Sequence, residues 1–466
     1  MKFFQEEARH TPIASGADVI VCGGGPAGFA AAVAAARTGA KTVLLEAHGC
    51  LGGVWTSGAL SWIIEADKPG ILSELTETLD SWGARAGGDE LNFGYDVEAM
   101  KYVLDEISHA AGIQTQLHTR VVSAARDAAN RMTTVITESK SGRQAWNANV
   151  FVDATGDGDV AAQVGCDFDY GHPETGEAQP MSLMALFTGV KLDEIEEYVS
   201  GGRRGRAAER ATYPNGHDPR QALLGEFERA GLSPSYSAPT IWCIYENLYA
   251  LMANHEYGIS STSAEQITSA TMNARAEIHE LARGLRSLGG RWAQFRIVST
   301  GAQIGVREGR RIHGRYSVSL EDIRSGQKHS DAICRVRSGA DVHSLRRDEG
   351  GFLSSAATAV DGRARGDTIA QVNPYDIPLR ALIARDVDGL MLAGRCISGD
   401  FYAHSSYRVT GNAVAMGQAA GTVAALAAKS ATLPHAVPWS HVQDAIGQLN
   451  LICEQKRMQV TDVQRV

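Results

Sequence analysis

The sequence has no C-x-x-C pair. Its seven cysteines (Cys22, Cys50, Cys166, Cys243, Cys334, Cys396 and Cys453) are odd in number and far apart. That pattern argues against a disulfide framework and against a zinc cluster, so no metal site is expected and a reducing, cytoplasmic setting is the default. A basic excess is missing too. The net charge of −9 argues against nucleic-acid binding and gives no attraction to an anionic membrane surface. No apolar run is long enough for membrane insertion: Ala30 to Ala36 is cut off by Arg37. The opening Met1-Lys2-Phe3-Phe4-Gln5-Glu6-Glu7 turns acidic too early for a secretory signal. Internal repeats and low-complexity tracts are also absent. What remains is an ordinary globular composition, 44% hydrophobic and 21% charged over 466 residues, enough for two domains or one elaborated domain.

Glycine, by contrast, is plentiful at 50 residues, and residues 19–46 use it most tellingly. Val19 to Cys22 suits a buried parallel strand. Gly23, Gly25 and Gly28 form a G-x-G-x-x-G turn: the first allows the tight turn, the second lets backbone approach a pyrophosphate, and the third packs helix on strand. Ala30 to Ala36 continues as a helix whose positive end faces the pyrophosphate. Lys41 to Glu46 reads as a second strand ending in a carboxylate able to accept both ribose hydroxyls. Strand, turn, helix, strand and acid in this order predict a dinucleotide site. The motif alone does not separate FAD from NAD.

Further along, Lys101 to Ala111 reads as a helix. Val121 to Ala124, Met132 to Ser139 and Ala145 to Val152 read as strands, the last two in a small sheet. Ser200 to Gln221 reads as an exposed loop, with Arg203-Arg204-Gly205-Arg206 solvated rather than an anion site. Ala264 to Leu288 carries an apolar stripe (Ile267, Ala270, Ala274, Ile278, Leu281, Leu285, Leu288) that predicts a core-facing helix. Tyr375 to Ile383 is apolar, Gly389 to Ala393 a short strand, and Gly411 to Ala428 a small-residue helix.

Several segments add chemistry to the opening turn. Cys50 to Gly58 supplies glycines for a second backbone approach to a ligand. Ala154-Thr155-Gly156-Asp157 follows a strand, as backbone laid against a phosphate or adenosine would. Leu392-Ala393-Gly394-Arg395 repeats that form, and Asp400 beyond it suits a ribityl hydroxyl. Arg408 to Ala413 opens a helix, whose N-terminus stabilises the negative N1/O2 edge of a reduced flavin.

In the order of these motifs the sequence resembles the FAD-dependent oxidoreductases of the glutathione-reductase fold superfamily. More narrowly, it resembles a group related to the fumarate reductase and succinate dehydrogenase flavoproteins. The narrower resemblance rests on Thr300-Gly301-Ala302-Gln303-Ile304-Gly305-Val306-Arg307-Glu308-Gly309-Arg310-Arg311-Ile312 with the later Tyr316-Ser317-Val318. It rests equally on Tyr375 to Leu382, Ala393 to Ser398 and Met416 to Thr422. The resemblance implies an α/β fold: a Rossmann-like FAD-binding domain, with a parallel sheet, helices and a small antiparallel sheet, and an inserted α+β substrate or cap domain. The expected boundaries are 1–165 and 386–435 for FAD binding, 166–385 for the cap, and 436–466 for a C-terminal helical extension.

The resemblance also implies bound FAD. Gly23, Gly25, Pro26, Ala27 and Gly28 would hold the pyrophosphate, Glu46 the adenosine ribose and the Val122 backbone the adenine. Gly53, Val54, Trp55 and Thr56 would line the flavin. Thr155 and Gly156 would lie beside the adenosine half, Gly394 and Asp400 beside the ribityl chain or pyrophosphate, and Gly411, Asn412 and Ala413 at the O2 edge. Ala47 departs from the family, which often has Lys or Arg there. A covalent flavin link through His48 or Cys50 is a lesser alternative. Trp55 and Trp62 are candidates for an aromatic wall, although Trp62 better suits core packing. Arg307, Arg310 and Arg311, with Glu308 among them, read as a structural ion-pair network between domains.

Catalytic candidates come from the run between the flavin motifs. His404 suits a general base as well as a bonded loop histidine; Arg408 suits a carboxylate clamp or a partner of reduced flavin; Tyr402, and more weakly Tyr407, are further polar groups. The expected function is hydride transfer between a small-molecule substrate and FAD. No second G-x-G-x-x-G disfavours a built-in NAD(P)H domain, so electrons would pass to oxygen, quinone or a separate electron acceptor. Assembly as a homo-oligomer is compatible with this reading. The alternatives are an FAD monooxygenase, whose Asp-Gly pattern is replaced here by Ala-Thr-Gly-Asp, and a flavin-bearing interaction or RNA-modification subunit. The halogenase signature Trp-x-Trp-x-Ile-Pro is absent.

Overall fold

Ile13–Cys22 pairs in parallel with Thr42–Leu45 on one side and Gly142–Asp153 on the other. The apolar Val19–Cys22 run is fully buried, as a strand covered on both faces must be. The computed structural model describes residues 4–5, 7–200, 218–347 and 373–463. The main sheet has seven strands, in the order Gln114–Gln116, Thr42–Leu45, Ile13–Cys22, Gly142–Asp153, Met132–Ser139 and Arg120–Arg126. Leu390–Leu392 also pairs with Gly142–Asp153. The long strand Gly142–Asp153 spends one edge twice. Its first half pairs antiparallel with Met132–Ser139, and its last residues pair in parallel with Leu390–Leu392. The small sheet expected around residues 132–152 is therefore an antiparallel wing of the main sheet.

Two helices cover one face of that sheet. Pro26–Arg37 and Thr410–Lys429 are both built of small residues and pack closely on each other. Ile71–Ser81 and Trp439–Val463 pack beside them, and Val442, Leu449 and Cys453 join the same core. The C-terminal helix is thus part of the first core's packing. Ile312, Val318, Ile323, Val336 and the Tyr375–Leu382 stretch also join that core.

A second core lies between residues 181 and 306. Its antiparallel sheet runs Thr240–Tyr245, Leu248–Met252, Ala185–Thr188, Arg296–Thr300. Ala264–Ser287 covers this sheet; Ser263 caps the helix by accepting from Gln266 N. Ala270, Ala274, Ile278, Leu281 and Leu285 are buried and Ile267 and Leu288 pack at the margin, so the apolar stripe faces a core. The expected loop Ser200 to Gln221 ends earlier than its composition suggested. Asp218 caps a helix, Pro219–Arg229, whose first helical residue is proline. Arg203 to Arg206 lie outside the described residues. No helix among the described residues is long and apolar enough to cross a membrane.

Candidate functional site

The three turn glycines do three different things. Gly23 has φ +97°, and a Cβ there would lie 2.5 Å from Ala154 O. A Cβ on Gly28 would lie 1.7 Å from Gly23 O, so helix and strand touch backbone to backbone. Gly25 has φ −65°, open to any residue, and a Cβ there meets nothing within 4 Å. Nothing in the protein itself requires glycine at 25. Gly25 caps Pro26–Arg37 with no side-chain hydrogen bond, and the amides of Ala27 and Gly28 precede the first intrahelical bond, Phe29 N to Gly25 O at 2.8 Å. This is an anion cradle at a helix N-terminus.

Other expected residues close around it. A Cβ on Gly53 (φ +52°) would sit 3.0 Å from Gly25 Cα, and one on Gly394 (φ +85°) would sit 2.9 Å from Ala27 Cβ. Glu46 accepts from Gly24 N at 2.5 Å and from His48 N and Nδ1 at 2.7 and 2.9 Å. Burial pushes its carboxyl up, but the bonds from His48 and Gly24 hold it below the usual range. His48 therefore supplies the partner that Ala47 cannot, and its ring is committed to Glu46. Val122 stands at a bulge in Arg120–Arg126.

Where backbone contacts were expected the segments converge; several side chains do not. Trp55 is fully buried against Tyr95, with ring centroids 6.5 Å apart, and its Nε1 has no hydrogen-bond partner. Thr56 is spent on Leu51 O at 2.5 Å. Val54 stays half-buried. Trp62 is the more open indole, edge-on to Trp242 at 6.1 Å. Thr155 turns back to Asp153, and Gly156 (φ +82°) is flanked by Arg395, which pairs with Asp157 at 2.9 Å. Asp400 caps Phe401–Tyr407 through Ala403 N at 2.7 Å and accepts from Leu320 N at 2.6 Å, so each oxygen already holds a backbone amide. A family model for FAD dependent oxidoreductases matches residues 18–446. The chain belongs to the FAD dependent oxidoreductase family. Its cofactor is FAD, and it is an enzyme.

Other likenesses are narrower or weaker. The mitochondrial dihydrolipoyl dehydrogenase of Caenorhabditis elegans is 48% identical over 52 residues, 11% of this oxidoreductase and 10% of that protein. The match therefore spans about a tenth of the curated relative's length. A geranylgeranyl bacteriochlorophyll reductase-like protein from Thermoplasma acidophilum aligns over 97% of this chain and 87% of its own, with 14% identity and a TM-score of 0.45. For a p-nitrophenol 4-monooxygenase from Pseudomonas putida the figures are 97%, 89%, 11% and 0.42. Scores this low carry no argument about the reaction.

The residues at the start of Thr410–Lys429 fit FAD on their own chemistry. Asn412 is fully buried, and neither its Oδ1 nor its Nδ2 has a hydrogen-bond partner. A buried amide in that state needs a polar group from elsewhere. A Cβ on Gly411 would lie 2.1 Å from Glu65 O, so backbone packs tightly just before it. Ala413, next in the helix, is buried.

Beside this lies a polar hub that sequence reasoning missed. Buried Gln179 donates to Glu308 Oε2 at 3.1 Å and Ser405 Oγ at 2.9 Å, and accepts from Arg408 at 3.2 Å and His343 N at 3.1 Å. Glu308 pairs with Arg311 in full burial, and Arg310 pairs with Asp159 at 2.9 Å. Two of the three arginines thus form the expected ion pairs. Arg307 does not; it donates to Pro180 O and Ser182 Oγ. Gly309 explains its place in the motif: a Cβ there would strike Arg395 at 2.3 Å and Asp157 at 2.4 Å.

His404 is fully enclosed, with Nδ1 3.8 Å from Glu308 Oε2 and neither ring nitrogen hydrogen-bonded. Burial, then Arg311, Arg408 and Arg395, push its pKa well below the ordinary histidine range. A ring in that setting stays neutral, which weighs against a base that must hold a proton at neutral pH. Tyr402 is half-buried and turned toward His172, 3.4 Å away. Tyr407 is buried, its hydroxyl on Ile397 O at 3.0 Å.

Gly25 provides a clean test. Gly25→Ala is expected to change the unfolding of the apoprotein by no more than about 1 kcal/mol, the cost of losing a favourable N-cap residue, because the built Cβ meets nothing. FAD affinity should fall by roughly 10- to 100-fold, the usual effect of an unwanted methyl group in a fitted contact. Titration of apoprotein by flavin fluorescence reads this directly. Unaltered affinity would remove Gly25 from the cradle.

Proposed function

We propose that the enzyme transfers a hydride between a small organic substrate and FAD, with electrons then passing to oxygen, a quinone or a separate carrier. The observation that carries this is the row of buried, underused polar groups on residues 404–412: both His404 ring nitrogens, Arg408 Nε and the Asn412 amide. FAD, when bound, supplies the hydride acceptor or donor. Arg408 orients the substrate through its charge. Neutral His404 serves as a hydrogen-bond partner rather than as a proton store. Tyr402 borders the site from the His172 side. The narrower kinship with the fumarate reductase flavoprotein rests on sequence motifs alone.

Anaerobic bleaching of the bound flavin across a panel of small metabolites tests the reading. At least one compound should bleach it. His404→Gln should leave the pH profile of bleaching unchanged between about pH 5 and 8, the range where an ordinary histidine titrates. Protein that neither carries nor takes up flavin would overturn the reaction. A profile that loses an ionisation in His404→Gln would restore His404 as the base.

A further inference from the structure

An exposed aromatic pair lies on the surface of the first core. Trp82 ends the helix Ile71–Ser81, and Tyr102 lies on the outer side of the helix Val97–Ala110. Their rings meet at 4.9 Å between centroids, yet Trp82 is 57% and Tyr102 46% exposed. Gly83 follows Trp82 at φ +63°, so the chain turns away and leaves the indole displayed. Val97, Met100, Val103, Leu104 and Ile107 form the buried side of the second helix, so its core face is complete without Tyr102. An exposed Trp and Tyr in contact are the side chains that protein interfaces favour.

The rim of this pair is acidic. Residues 80–106 carry seven Asp and Glu against Arg85 and Lys101, a net −5 of the chain's −9. Both cations are already used: Arg85 pairs with Asp80 at 3.1 Å and Lys101 with Glu98 at 2.6 Å. Glu98, Asp105 and Glu106 share the exposed side of the helix with Tyr102. Glu106 pushes the Tyr102 hydroxyl up, and burial, then Glu106, push the Asp105 carboxyl up. Tyr245, an exposed residue of the second core's sheet, extends the patch, its hydroxyl bonded to Asp96.

Charge decides the occupant. A second copy docked face to face about a twofold axis would set these acids against themselves, and nucleic acid or an anionic membrane would be repelled. A basic protein surface would be drawn in. Position decides what such a protein does. On the inner side of the same helix, Leu104 backs the loop expected to line the flavin: a Cβ on Gly52 would lie 2.9 Å from Leu104 Cδ1. Tyr95, just before the helix, donates to Trp55 O at 3.1 Å and Leu60 O at 2.8 Å. One helix, about 10 Å across, therefore separates the outer aromatics from that loop.

We propose that the Trp82–Tyr102 face is the docking site of a separate electron carrier, a protein with a basic surface and a one-electron centre. Two carrier molecules each take one electron from reduced FAD, and one proton passes to water. This rests on the reading that electrons leave the flavin after hydride transfer. It selects the carrier among the acceptors that reading leaves open, and it gives the carrier a place on the fold.

The test uses FAD-loaded enzyme reduced anaerobically by one equivalent of dithionite, so it does not depend on the hydride step. Cytochrome c serves as the basic one-electron probe, the same protein with succinylated lysines as its acidic counterpart, and benzoquinone as a small neutral acceptor. Stopped-flow absorbance reads flavin reoxidation. At low salt native cytochrome c should react at least about 10-fold faster than the succinylated form, and added salt should shrink that advantage. Asp105→Lys combined with Glu106→Lys should slow native cytochrome c by roughly 10-fold and speed the succinylated form, while FAD content and the benzoquinone rate stay unchanged. Trp82→Ala should raise the cytochrome c concentration needed for half-saturation by roughly 10-fold. Tyr102→Ala serves if Trp82→Ala does not fold. Equal rates with the two cytochromes, no salt dependence, or rates indifferent to these variants would each overturn the proposal. Reoxidation by benzoquinone but not by cytochrome c would overturn it as well, and leave hydride transfer standing. Carrier reduction that behaves as expected in an enzyme that no metabolite bleaches would overturn the hydride reading and leave this face standing.

Discussion

Gly421→Val and Gly417→Val are each expected to destabilise the protein by about 1–3 kcal/mol or more, as overpacking of a close backbone contact does. A Cβ at 417 would lie 2.0 Å from Ala27 O, and one at 421 would lie 2.0 Å from Ala31 O. Both positions sit inside Thr410–Lys429, and both face the backbone of Pro26–Arg37. Only small residues allow helix axes to come this near. The gap cannot be widened cheaply, because Ala30 to Ala35 and Ala419 to Ala425 are buried on all sides. The two variants should differ in a second readout. Ala27 belongs to the anion cradle, so Gly417→Val should also lower FAD affinity, whereas Gly421→Val, one turn further on, should act mainly on stability. Gly447→Ala is the control. It is an exposed helical glycine whose built Cβ meets nothing, and it should be neutral or stabilising by up to about 1 kcal/mol. Urea unfolding of the three apoproteins and FAD titration decide the matter. Equal behaviour of 417, 421 and 447 would mean that the helices do not pack as described.

This contact also shows what a sequence does and does not disclose. Gly23, Gly28, Glu46 and the helix after them were legible because their spacing is local: strand, turn and helix are consecutive, and each glycine has one steric reason. The stripe from Ile267 to Leu285 was legible for the same reason. Ile71, Leu72, Leu75 and Leu79 carried a comparable pattern that was not read, although the helix Ile71–Ser81 buries them all. Trp62–Ile64, Arg85–Gly88 and Asn92–Tyr95 are too short to show any period.

The polar hub around Gln179 was hidden for a different reason. Gln179, Arg307, Asp341, His343 and Arg408 meet only through tertiary packing, from segments with no shared motif. Arg307 was misleading because it stands next to ion-paired Glu308 yet points to carbonyl and hydroxyl oxygens. His404 shows the same limit: its position between flavin motifs suggested a base, while its burial and then three surrounding guanidinium groups push its pKa down, and none of these is visible in the sequence. Asp400 looked like a ligand and is largely a helix cap. Composition reports which groups exist; burial and neighbours decide their charge.

Breaking the Arg37–Glu74 pair should cost about 3–5 kcal/mol, the usual penalty for leaving one member of a buried ion pair alone. The pair is bidentate, at 2.5 and 2.8 Å, and both side chains are nearly enclosed, at 5% and 6% exposure. Burial alone would lower the Arg37 pKa, yet its bonds to Glu74 raise it, so the cation is held by this one carboxylate. The same guanidinium nitrogen reaches Cys453 Sγ at 3.2 Å, so helices Pro26–Arg37, Ile71–Ser81 and Trp439–Val463 meet there. A second tie runs in parallel: Gln418 accepts from Ile71 N at 2.9 Å and donates to Asn450 at 3.0 Å. Arg37→Ala, measured by urea unfolding, should therefore lose several kcal/mol while the helices stay docked through Gln418. Arg37→Met combined with Glu74→Leu should recover most of the loss, because neither charge is then stranded and the volume is refilled. If Arg37→Ala costs less than about 1 kcal/mol, the value of an exposed pair, water reaches the site and the three-helix junction is looser than its distances imply. If the double variant is as unstable as the single one, the junction depends on the pair itself and not merely on its neutralisation.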